Sequence, residues 1–80
     1  MVALMNTPTA AGLAAEVRAE MARQGITAAK VAAATDISPA SLSRRLNGTG
    51  EFTVAEMFRV AAFLGLTLSD LLRRAESVAA

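Results

Sequence analysis

The chain contains no histidine and no cysteine. Without histidine it lacks the commonest general base and the commonest metal ligand. Without cysteine it can form no disulfide and no thiolate site. Tryptophan and tyrosine are also absent, and aromatics amount to three phenylalanines. The seven carboxylates are scattered singly along helical faces, with no cluster beyond a surface pair, Glu16 and Glu20. This inventory assembles no catalytic or metal site, so no enzyme activity, cofactor or metal is expected. No window approaches the roughly 18 apolar residues of a membrane span. The opening MVALMN lacks the basic region and apolar run of a signal peptide, which gives a cytoplasmic expectation. Strand signals are missing too: no run alternates apolar and polar residues, and β-branched residues are sparse. No strong charge excess exists either, since the net charge is +1.

What remains is helix. Eighty residues, 54% of them hydrophobic, fit one domain with one modest core. Start and stop signals divide the chain into five helices. Thr7 and Pro8 read as an N-cap followed by proline at the first helical position. Leu13, Val17 and Met21, spaced by four, give that helix its inward stripe, and Gly25 ends it. Thr27 caps a second helix with Val31 and Ala32 inward. Ser38 and Pro39 open a third, which runs to Asn47 and stops at Gly48; Leu42 and Leu46 form its buried stripe. Thr53 and Glu56 make a capping box for the fourth helix, which Gly65 ends. On it Val54, Met57, Ala61 and Leu64 share the inward face. Thr67 and Asp70 cap a fifth helix with Leu68, Leu71 and Leu72 as its apolar face. Phe52 and Phe58 are assigned to the core with Met21 and Met57. The ordered domain is expected over about residues 7–76, with loosely held ends.

Residues 27–48, TAAKVAAATDISPASLSRRLNG, carry the most information. Two short helices are joined there by a tight turn, and the second carries adjacent arginines, Arg44 and Arg45. The segment holds Lys30, Arg44 and Arg45 against Asp36 alone. Such a pair of helices can present the second to the DNA major groove.

At this point the sequence resembles the Cro and phage-repressor family of helix-turn-helix proteins, over about residues 10–75. The pieces that carry the likeness are VAAATDIS, LSRRLNG and VAAFLGLTLSDLL, in the family's order and spacing. The resemblance implies an all-α, compact five-helix bundle of the lambda-repressor type, with the helix-turn-helix at 27–48. It implies a sequence-specific regulator of the phage-repressor or Cro kind that occupies a double-stranded DNA operator, with no small-molecule ligand. Base edges would be read by Pro39, Ala40, Ser41 and Arg44. Thr27, Lys30, Ser43, Arg45, Asn47, Gly48 and Thr49 would meet the DNA backbone. Three residues depart from the family's habit. Ala28 stands where glutamine commonly grips a phosphate. Asp36 stands where the turn usually has glycine. Leu46 is apolar one position later than usual, which assigns it to the core and leaves Arg45 free to reach the backbone. Phe63 lies opposite the inward face of the fourth helix, either as an interface or under the N-terminal segment. With Val78, and with Val2 and Leu4, it would serve a weak homodimer. Two other readings compete: the antitoxin of a toxin–antitoxin pair, and a protein-docking helical module that has lost DNA binding.

Overall fold

The computed structural model describes residues 10–79, and side chains as far as residue 75. These residues form five helices and no strand: α1 (Ala10–Gln24), α2 (Ala28–Thr35), α3 (Pro39–Leu46), α4 (Val54–Phe63) and α5 (Leu68–Ala79). The expected cap at Thr7 and Pro8, the expected looseness of the ends, and the side chains of Val2, Leu4 and Val78 lie outside the description.

Each described start signal acts as its chemistry suggests. The Thr27 hydroxyl accepts the Lys30 amide, and Ser38 accepts the Ser41 amide ahead of Pro39. Thr53 and Glu56 close a complete capping box. Thr67 accepts the Asp70 amide at 3.0 Å. The helix ends also share one device. A residue with positive φ stands one or two positions past each of the first four helices, and the residue after it donates its amide five positions back. Asp36, with φ 57°, fills this place between α2 and α3, as the turn required. Ile37 then drops into the core, 4% exposed.

The core gathers Leu13, Val17, Met21, Val31, Ala32, Ile37, Leu42, Leu46, Phe52, Val60, Ala61, Leu64, Leu71 and Ala75. α1 packs chiefly on α5 and also on α3, while α2 packs on α3 and α4. Leu46 is in the core as expected. Three expectations are corrected. Val54 and Phe58 are 61% and 58% exposed, not buried. The inward arc of α4 is narrow, consisting of Met57, Val60, Ala61 and Leu64, and the Val54–Phe58 edge runs alongside it. Leu68 and Leu72 are only half-buried, leaving Leu71 as the fully buried leucine of α5. Glu16 and Glu20 are not a surface pair but are buried. Arg23 bridges both, at 2.8 and 2.9 Å, and Arg74 reaches Glu20 from α5 at 2.7 Å. The Glu20 carboxyl is held below its ordinary range, first by the Gln24 amide and then by Arg23.

Long side chains also tie the last carbonyls of one helix to another. Arg59 of α4 donates to the Thr35 carbonyl at 2.8 Å. Gln24 of α1 donates to the Leu64 carbonyl at 2.7 Å. Arg18 of α1 donates to the Leu46 carbonyl at the end of α3. These carbonyls have no partner within their own helix, and the helix dipole favours positive charge beside them.

Candidate nucleic-acid interface

α3 has two faces. Leu42 and Leu46 point into the core, while Pro39, Ala40, Ser43, Arg44 and Asn47 are exposed on the other side. The helix is set on that footing by its cap, by Pro39 in its first turn and by the closing turn at Gly48. A Cβ at Gly48 would lie 3.4 Å from the Ala11 Cα, in ordinary contact with α1, so it is the positive φ that calls for glycine there.

Arg44 extends from the exposed face, its guanidinium 3.2 Å from the Ser41 hydroxyl. Ser41 itself is half-buried. Thr27 and Lys30 are exposed at the start of α2. Because Thr27 accepts the Lys30 amide, its own hydroxyl proton remains to be donated.

Several backbone candidates are already engaged. The expectation that Arg45 is free is corrected: its side chain is 18% exposed, and its Nε lies 2.9 Å from a Glu56 carboxyl oxygen. The same Nε donates to the Glu51 carbonyl. That Glu56 carboxylate also accepts the Thr53 amide, so Arg45 is fastened to the capping box of α4. The Gly48 amide is committed to the Arg45 carbonyl at 3.2 Å. Thr49 uses both its amide and its hydroxyl on the Arg44 carbonyl. The Gly48 and Thr49 protons are thus spent on closing α3, whereas Arg45 keeps the four N–H donors of its two terminal nitrogens.

The charge distribution is more telling than the net charge. Of the eight basic side chains, Arg23, Arg45, Arg73 and Arg74 are in ion pairs with carboxylates. Among the described residues Arg18, Lys30, Arg44 and Arg59 have no such pair. Three of these four, Arg18, Lys30 and Arg44, belong to α1, α2 and α3. The ion pairs thus cancel much of the positive charge elsewhere and leave it uncancelled around α2 and α3.

A groove of about 540 Å³ opens between α2 and α3. Ala28, Ala29, Ala32 and Ala33 form one wall, and Leu42 and Leu46 line the other side. Its exposed polar lining is Arg18, Ser43 and Asn47. The sequence reading missed Arg18 because it lies outside residues 27–48 and only the folded chain brings it to the end of α3.

A family model described as Helix-turn-helix matches residues 17–71. The chain belongs to the helix-turn-helix family. A solved structure, the clp gene regulator ClgR from Corynebacterium glutamicum, is 28% identical with a TM-score of 0.84. That match covers 88% of this chain and 74% of the regulator. A comparison with curated proteins found no match. The family and the likeness to a gene regulator together support a DNA-binding transcriptional regulator. Among the described residues, no helix is long and apolar enough to cross a membrane.

Proposed function

We propose that this protein is a sequence-specific regulator that binds double-stranded DNA by laying α3 in the major groove. The observation that carries the reading is the exposed face of α3, with Arg44 unpaired by any carboxylate among the described residues and core residues fixing the opposite side. An arginine so placed can bond two acceptors on guanine, worth about 1–3 kcal/mol of discrimination. Ala40 offers a methyl to the thymine methyl group, and Pro39 offers no donor, so DNA shape supplies part of the specificity. Thr27, Lys30, Ser43 and Asn47 supply backbone contacts. The protein acts as a repressor of the phage or Cro kind, by occupying an operator.

Selection of bound sequences from a pool of random duplexes tests the reading. A recovered motif with a guanine whose importance disappears in Arg44→Ala is the expected result. Recovery of no motif would sink it.

α3 has eight residues and spans about 12 Å, enough to face only three or four base pairs. Two copies are therefore needed for a useful site, with half-sites about 34 Å apart and approximate two-fold symmetry. Phe63, 39% exposed, is the proposed contact of a weak homodimer that DNA strengthens. Phe63→Glu should leave the melting temperature unchanged and abolish cooperative binding of two copies. Tight one-to-one saturation of an asymmetric site would rule the dimer out.

A second reading, docking of a protein partner, is favoured by one observation: the exposed Val54–Phe58 edge of α4. Large apolar side chains side by side at the surface suit an interface. Absence of any binding to duplex DNA at low salt would select this reading over the first.

A further inference from the structure

We propose that Arg18 is a phosphate clamp: with Ser43 and Asn47 it grips one backbone phosphate of bound DNA at the α2–α3 groove. The inference rests on the reading of α3 as the DNA-reading helix and adds to it a residue from outside the helix-turn-helix.

Three observations lead to it. First, Arg18 is exposed and has no carboxylate partner among the described residues, whereas Arg23, five positions along the same helix, is neutralised twice. Second, Arg18 is not loose. It donates to the Leu46 carbonyl, which uses one of its five N–H donors and holds the guanidinium at the C-terminal end of α3. Asn47 is the next residue, and Ser43 lies one turn before Asn47 on the same face. All three line the groove. Third, the opposite wall has no side-chain donor, because residues 28, 29, 32 and 33 are all alanine. A phosphate meeting this face finds its donors on the Arg18 side. The alanine methyls offer an apolar bed for the adjoining sugar.

The position also resolves an electrostatic conflict. A helix C-terminus carries partial negative charge and repels phosphate. Arg18 covers the last carbonyl of α3 and reverses the local sign, so the backbone can pass the end of the reading helix. The planar fork of arginine can hold the carbonyl and bond a phosphate oxygen at once. Arg18 is thus both a brace on the reading helix and a contact to its target.

The test separates these roles. Arg18→Gln keeps a donor for the Leu46 carbonyl and removes the charge; Arg18→Lys keeps the charge. Binding of the selected duplex and of a random duplex is measured over a series of salt concentrations, and each variant is melted without DNA. Arg18→Gln should weaken both duplexes by a similar factor, about tenfold, and lower the salt slope by about one unit per bound copy. Arg18→Lys should keep the slope. A scan of neutral methylphosphonates along the duplex should find one backbone position that matters to the wild type and not to Arg18→Gln. An unchanged slope in Arg18→Gln, or no such position, overturns the proposal and leaves Arg18 a brace. If the wild type binds no duplex at all, the DNA-binding reading itself has failed, a result distinct from either.

Discussion

At the scale of single residues, adjacent arginines do different work. Arg44 and Arg45 are indistinguishable in sequence, yet one projects from α3 and the other is locked to Glu56. Arg44→Ala should cost much more affinity for a preferred site than for random DNA, with little change in melting. Arg45→Ala should instead lower stability by about 1 kcal/mol, since it breaks a half-buried pair and loosens the capping box. Urea titration of the two variants distinguishes them, and equal stabilities would contradict the assignment. Asp36 makes a second residue-scale case. Its φ is 57°, its side chain is exposed, and among the described residues no hydrogen bond or ion pair involves its carboxylate. Asp36→Gly removes the Cβ clash and should be neutral or stabilising by up to about 1 kcal/mol. A clear drop in stability would show that the carboxylate has a structural task.

At the scale of elements, what could be read in advance was what is local. Caps at Thr27, Ser38, Thr53 and Thr67 join groups three residues apart, so spacing alone reveals them. Stop residues are equally legible, because a helix that must end in the left-handed region needs glycine or a tolerant substitute. Gly48→Ala should cost about 1–2 kcal/mol, from the strain of a side chain at positive φ; thermal melts would measure it. The ties between helices were not legible. Arg18 and Leu46 are 28 residues apart, Gln24 and Leu64 are 40 apart, and Glu20 and Arg74 are 54 apart. Nothing in a local pattern says which carbonyl or carboxylate a long side chain will meet. The misreading of Val54 and Phe58 has a related cause. Periodicity gives the direction of an apolar face but not its width, which is set by the helices that come to cover it. Of the candidate interface, the helix and the side of it that faces outward were readable; which cations stay unpaired depended on the completed fold.

At the scale of the whole molecule, acid should weaken the attachment of α5. Glu20 joins α1 to α5 through Arg74, and its folded pKa lies below the ordinary value of 4.5. A carboxyl lowered in this way stabilises the fold above that value and loses its contribution as pH falls through the folded pKa. Melting temperature should therefore drop on acidification below about 4.5, and less steeply in Glu20→Gln. Equal slopes in the two proteins would remove Glu20 from the account. On the proposed reading, the pairing of half the cations has a further consequence, for the search along a chromosome. At physiological ionic strength screening acts over about 8 Å, so a duplex feels the nearest charges and little of the remainder. A face with so few unpaired cations has a weak hold on arbitrary sequence. Each encounter with a wrong site should then be brief, with release fast compared with sliding. Copies not on an operator would stay largely free in solution. Operator occupancy would follow the amount of protein made, with little buffering by the rest of the genome.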